Sequence, residues 1–160
     1  MTEKIVRAIH LESIPGGRQS PGGLQGPGGL QSNVRNARGQ GFLADEPAYI
    51  GGAEEGMTPF ELLLASLASC TSATLVMYAR DKGIALDGVT IDADYSRAGE
   101  DGLPADGPDR IRRRIALAGR LDATAVQRLT RVAQLCPVHK AIVGDRITCE
   151  DEISVVAPAA

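Results

Sequence analysis

Two cysteines are the residues best placed by type and context to do chemistry. Cys70 lies in the uncharged segment LLLASLASCTSATLVMYA, and Cys136 opens the run Cys136-Pro137-Val138-His139-Lys140. A thiol among small and hydroxyl side chains, paired with a second thiol beside Pro, His and Lys, is the raw material of a two-cysteine redox site. A thiol attacks only as the thiolate, and burial in a helix raises its pKa above the free value of about 8.5. Cys70 therefore needs help, either from an Arg positioned by an acid or from hydroxyls one turn away such as Ser66 and Thr74. Taken alone, Cys70 fits a small packed core residue at least as well, because free cysteine is among the most buried residue types. Cys136 has the better setting. It closes one helix, and Pro137 can open another, so unpaired backbone N–H groups can face its sulfur, with His139 and Lys140 close by in sequence. The alternative for Cys136 is a helix-breaking turn in which it only fills space.

The same residues admit two further readings. Cys136 and His139, with Cys70 as a third ligand, could hold a metal, but a single C-x-x-H lacks the second paired motif of a zinc site, and His10 lies far away in sequence. A Cys-His dyad for proteolysis or acyl transfer lacks a Gly-rich oxyanion segment beside either cysteine. Cys149 occupies a core-facing position in an alternating segment and reads as structural.

The elements that must carry these residues have clear punctuation. Thr58 as N-cap, Pro59 at the first helical position and Glu61 three residues after the cap form a capping box. The helix runs to about Lys82, where Gly83 supplies the stop. Glu61 thus has a structural role as a capping residue, and it sits roughly 180° around the helix from Cys70, so direct contact along one straight helix is not expected. Residues 89–95 and 111–117 alternate as an antiparallel pair joined by a Gly/Pro/Asp-rich turn, and Arg112-Arg113-Arg114 reads as a solvated strand face. A second helix starts at Asp122, presents Val126, Leu129, Val132 and Ala133 on one side, and must stop or kink at Pro137. A final strand over 146–156 places Ile147, Cys149, Ile153 and Val155 on one face. Upstream, 5–14 reads as an edge strand or hairpin arm. Residues 33–50 read as strand, turn and extended connection, with Pro47 keeping Glu46 out of helical geometry. Between them, Pro-Gly-Gly recurs at 15, 21 and 27 with almost no apolar side chain, so 15–32 reads as a flexible Gly/Pro-rich loop. The order is that of an α+β fold, with helices on a mostly antiparallel sheet.

The 160 residues fit one domain. A formal net charge of -3 gives no electrostatic pull toward nucleic acid or anionic membranes. The uncharged run at 62–79 is long enough to span a bilayer, but Ser66, Ser69, Thr71, Ser72 and Thr74 would need partners that lipid cannot supply. A buried core helix at a subunit interface is the expectation. The N-terminus has acidic residues and no continuous apolar core, unlike a signal peptide, so the cytoplasm is the expected location. Three cysteines in such a chain do not make a disulfide framework.

The segment GGAEEGMTPFELLLASLASCTSATLVMYARDKGI followed by CPVHKAI resembles the OsmC/Ohr family, specifically its OsmC-like branch, and the match runs from about Ala44 to the C-terminus. The resemblance implies a thiol-dependent peroxidase acting on organic hydroperoxides, built as an intertwined α+β homodimer around a long central helix, with two sites at the subunit interface. It also implies that Cys70 is the peroxidatic cysteine and Cys136 the resolving one. No bound cofactor is implied; an external dithiol, of lipoyl type in the family, is the expected reductant. The chain departs from the family pattern in one place: Phe60 follows Pro59 where the family commonly has the acid, and Glu61 comes next. The activating Arg of the family comes from the N-terminal part, where Arg38 is the preferred candidate and Arg35 the second. The displaced acid also motivates an alternative from another class, a dimeric binding protein for small or electrophilic ligands with little turnover.

Overall fold

The structure, a computed structural model, describes residues 9–13 and 29–157. Most of the expected loop at 15–32 lies outside the described residues, as does the start of the first expected strand. The chain forms two compact units, Met1–Leu62 and Leu63–Ala160, and the division falls within one long helix.

The first unit holds a three-stranded antiparallel sheet of β1 (Ile9–Ser13), β2 (Ser32–Asn36) and β3 (Gly41–Ala44), in that spatial order. Asn36 closes the β2–β3 turn by accepting the backbone N–H groups of Arg38 at 2.9 Å and Gln40 at 3.1 Å through its side-chain oxygen. Past β3, buried Asp45 organises a loop that includes a 3₁₀ turn at Ala48–Ile50. Its carboxylate accepts the N–H groups of Glu46, Ala53 and Glu55 and the Gln31 amide.

Helix α1 spans Pro59–Lys82 and begins with the expected capping box. Thr58 N–H donates to Glu61 Oε2 at 2.7 Å, and Glu61 N–H donates to Thr58 Oγ1 at 3.3 Å. It ends at Gly83 with φ of 62°, where Ile84 N–H reaches Ala79 O at 2.9 Å, a Schellman closure that the glycine's positive φ permits. β4 (Leu86–Ser96) and β5 (Asp109–Gly119) pair antiparallel, extending the expected pair at both ends. After β5 come α2 (Ala123–Ala133), capped by Asp122, then α3 (Pro137–Ile142), and finally β6 (Ile147–Val156). β6 lies parallel to β5, which makes β5 the central strand of a β4-β5-β6 sheet. Parallel pairing needs a crossover that returns the chain to the same end of the sheet, and α2 with α3 provides it. Among the described residues the α+β expectation therefore holds, with three of four strand pairings antiparallel, but the strands form two sheets rather than one.

The second unit's core repeats along three elements at once. On α1 the buried residues are Leu67, Thr71, Leu75 and Ala79, four apart. On β5 they are Ile111, Arg113, Ile115 and Leu117, two apart. Four helical residues rise about 6 Å and two strand residues about 6.6 Å, so the two series stay in step. Leu67, Ile111 and Cys136 form one apolar cluster, against which Cys149 packs. Leu75, Ala79, Ile115, Leu117, Leu129, Val132 and Ala133 form the other, with Ile153 against it. Between them lies a polar layer that contains Thr71 and Arg113.

Apart from that stripe, α1 is less buried within the chain than its composition predicts. Val76 and Met77 are exposed. It is the one described helix long and apolar enough to cross a membrane. Three of its hydroxyls find partners inside the helix: Ser69 donates to Ser66 O, Thr71 to Leu67 O and Thr74 to Cys70 O. The hydroxyl count alone therefore does not decide against a lipid environment. The packing of Leu67, Thr71, Leu75 and Ala79 on protein is the stronger observation.

Candidate thiol site

Cys70 comes from the middle of α1 and is half-buried, whereas Cys136 is fully buried at the N-cap of α3. Pro137 places a proline at the first position of α3, where its missing N–H costs nothing, and the N–H groups of Val138 and His139 are then free to point back. Both reach the Cys136 sulfur, and Val138 N–H also reaches that of Cys70. The two thiols are free, hydrogen-bonded to each other and close to disulfide distance.

Their environments push the two thiols apart. Burial raises Cys70, and its hydrogen bond to the Cys136 sulfur adds to the effect. Burial also raises Cys136, but the neighbouring Cys70 thiol, the N–H of His139, the Thr71 side chain and the N–H of Val138 outweigh that, and it ends below the usual thiol range. The two thiols therefore titrate as a coupled pair, with Cys70 shifted up and Cys136 down.

Next to Cys136 lies the polar layer. Arg113, expected on a solvated face, is completely buried. Its alternation partners are Ile111 and Ile115, so the strand's own period turns it inward, while Arg112 and Arg114 point the other way. Asp151 stands directly opposite it on β6 and accepts from Nε and Nη2, each at 2.7 Å. Arg113 Nη1 donates to Thr71 Oγ1 at 2.6 Å, and Nη2 lies 3.3 Å from His139 Nδ1. A guanidinium only donates, so Nδ1 must accept and the imidazole carries its proton on Nε2. Burial and the Arg113 charge both hold His139 below its usual value, which keeps the ring neutral at neutral pH.

Cys149 takes the structural role expected of it. Burial pushes its thiol up to about 11, and it packs against the Leu67-Ile111-Cys136 cluster beside Asp151. The structure therefore brings Cys70 and Cys136 together within the second unit. Glu61 lies in the first turn of α1, and Arg38 is exposed in the β2–β3 turn; both belong to the first unit. Among the described residues no group of three or more His, Cys, Asp or Glu side chains is arranged to hold a metal ion. Sequence reasoning missed Arg113, Thr71 and Asp151. The available signal was an Arg on the inward parity of one strand and an Asp on the inward parity of another, between Cys149 and Ile153.

Residues 51–150 match the sequence profile of the OsmC-like protein family. The chain belongs to the OsmC/Ohr family of thiol-dependent organic-hydroperoxide-resistance proteins. No curated protein sequence matches it. Among solved structures, it is similar to a candidate osmotic-stress-induced and detoxification-response protein of Psychrobacter arcticus. That match has 26% identity and a TM-score of 0.66, covering 78% of this chain and 88% of the other. An organic hydroperoxide resistance protein OsmC of Legionella pneumophila aligns at 19% identity and a TM-score of 0.66, covering 95% and 100% of the two chains. The organic hydroperoxide resistance protein OhrB of Bacillus subtilis aligns at 20% identity and a TM-score of 0.57, covering 92% and 98%. The last two speak for the fold alone. Family membership and the paired thiols define a cysteine-based redox protein of peroxidase type.

Proposed function

We propose that this protein reduces organic hydroperoxides to alcohols through a Cys70 sulfenic acid and a Cys70–Cys136 disulfide. The observation that carries the reading is the contact between two free thiols that come from separate helices. Cys70 is the sulfur open to substrate, since Cys136 is fully buried. The Cys70 thiolate attacks the distal peroxide oxygen, the O–O bond breaks, and the alkoxide leaves as alcohol. Cys136 then attacks the Cys70 sulfenic sulfur, expelling hydroxide and forming the disulfide. An external dithiol, of lipoyl type by resemblance, restores both thiols by exchange. The protein acts as a cytoplasmic homodimer. Arg38 and Glu61 complete the site in that assembly, Arg38 by stabilising the Cys70 thiolate and Glu61 by orienting Arg38.

The test mixes reduced protein with cumene hydroperoxide and a dithiol and follows peroxide loss. Cys70→Ser should abolish the loss, and Cys136→Ser should stall at Cys70 sulfenic acid or a higher oxide. Wild-type protein that consumes no peroxide would overturn the reading. The raised Cys70 thiol favours one second reading in that event, a small-ligand-binding protein on the same fold with little turnover.

A further inference from the structure

α3 carries Cys136 at its N-cap, yet little in the helix itself holds it in place. It spans six residues, none of them buried, and so short a helix has no stability of its own. Val138 and Ile142 pack, partly buried, against the Leu67-Ile111-Cys136 cluster. The bonds from Lys140 N–H to Cys136 O at 3.1 Å and from Val143 N–H to His139 O at 3.0 Å only close the helix on itself. Among the described residues, the one hydrogen bond that joins α3 to the sheet is that between Arg113 Nη2 and His139 Nδ1, at 3.3 Å. Its donor is fixed, because Asp151 accepts from Nε and Nη2 of the same guanidinium and Thr71 Oγ1 accepts from Nη1.

We propose that His139 is the positioning residue that seats α3 on the sheet, and with it Cys136 against Cys70, by accepting the Arg113 hydrogen bond at an uncharged Nδ1. The inference rests on the peroxidase reading, in which the Cys136 sulfur must reach the Cys70 sulfenic sulfur before a second peroxide does. Cys136 and His139 share the first turn of α3, so the helix cannot lift at the imidazole and stay seated at the thiol. Protonation reverses the contact. The ring then presents an N–H at Nδ1 to a guanidinium that itself only donates, and two cations face each other. Acid therefore unseats α3 and draws Cys136 away from Cys70.

The charged groups that act on the ring come from two strands, Arg113 on β5 and Asp151 on β6, and Asp151 is already engaged by Arg113. β6 also brings Cys149, beside Asp151. α1 brings Thr71, bonded to Arg113, and Cys70, while α3 itself carries Cys136 and the exposed Lys140. Burial and the Arg113 charge keep the ring neutral in the seated helix, whereas a solvated imidazole titrates near the usual 6.5. Seating is therefore fully favoured above that value and weakens as pH falls below it. Between pH 7.5 and 5.5 the seating equilibrium can lose about tenfold, the ratio set by a free imidazole one pH unit either side of its pKa.

His139→Asn keeps an acceptor in the place of Nδ1 and does not titrate, whereas His139→Leu removes the acceptor at every pH. Two readouts separate this inference from the reading beneath it. The first is peroxide-free: hydrogen exchange of the α3 amides in the reduced full-length protein, corrected for the intrinsic pH dependence of exchange. Protection should fall severalfold from pH 7.5 to 5.5 in wild type, with about tenfold as the ceiling, and stay level in His139→Asn. The second is the share of Cys70 sulfenic acid trapped by dimedone at pH 7.5 after a single dose of cumene hydroperoxide. That share should rise in His139→Leu, with less disulfide formed, and match wild type in His139→Asn. Protection that responds to pH alike in wild type and His139→Asn, or a His139→Leu protein that forms disulfide as wild type does, overturns the positioning role, while peroxide consumption by wild type upholds the peroxidase. Wild type that consumes no peroxide removes the peroxidase, and hydrogen exchange still reports whether His139 seats α3.

Discussion

Arg113 and Asp151 face each other at matched register on two parallel strands and are joined by two hydrogen bonds of 2.7 Å. Neither side chain has meaningful contact with solvent, at 0% and 4% exposure. The pair interrupts an otherwise apolar interior between two clusters. Thr71 on α1 is the polar residue that meets it, so the layer also pins the helix in register on the sheet. A one-turn slip of α1 would set a leucine against the guanidinium.

Breaking this pair from one side leaves a charge buried without its partner. Arg113→Met should cost about 3–5 kcal/mol in urea unfolding, the scale for a stranded buried charge. The double variant Arg113→Met with Asp151→Leu should recover much of that loss, because the second change removes the orphaned carboxylate. A single variant as stable as wild type would show that the charges are solvated.

His139 makes the fold sensitive to mild acid. Its pKa in the folded chain is held below the usual 6.5, first by burial and then by Arg113. The unfolded chain therefore binds a proton at higher pH than the folded one. Its contribution to stability is complete above 6.5 and is lost as pH falls from there toward the folded value. The urea midpoint should drop between pH 7.5 and 5.5 in wild type and drop less in His139→Gln. Equal drops in the two proteins would refute the assignment.

In the first unit, Asp45 has a comparable structural burden. Burial pushes its carboxyl up, yet the N–H groups of Glu55, Glu46 and Ala53 and the Gln31 amide outweigh that and hold it below 3.8. Its stabilisation is present above that value and lost on further acidification. Asp45→Ala leaves three backbone donors without their acceptor and should destabilise the fold by about 2–4 kcal/mol. Thermal unfolding of the variant at neutral pH measures this.

The same loop depends on a close backbone approach at Gly52. A Cβ there would stand 1.6 Å from the Glu46 carbonyl oxygen. Flexible side chains cannot relieve that overlap, because the obstacle is backbone. Gly52→Ala should destabilise by more than about 2 kcal/mol, whereas Gly144→Ala, whose Cβ would meet nothing within 4 Å, serves as the tolerant control. Similar melting temperatures for the two variants would contradict the packing described.

What the sequence determined by itself was local. The bounds of α1 follow from Thr58, Pro59 and Glu61 at one end and Gly83 at the other, because caps act over a single turn. The inward faces of β4, β5 and β6 follow from alternation, because side-chain direction in a strand has period two. The two cysteines and their neighbours were likewise legible as a chemical possibility, and family resemblance assigned them roles. The three-dimensional packing decided what those local rules leave open. It turned the last strand parallel, through the α2–α3 crossover. It brought the Cys70 and Cys136 sulfurs into contact, which no spacing along the chain implies. It also made Arg113 a buried, paired group. A run of three arginines reads as solvated because burying a charge is costly, and the carboxylate that offsets the cost lies 38 residues away on a strand whose pairing only the fold specifies.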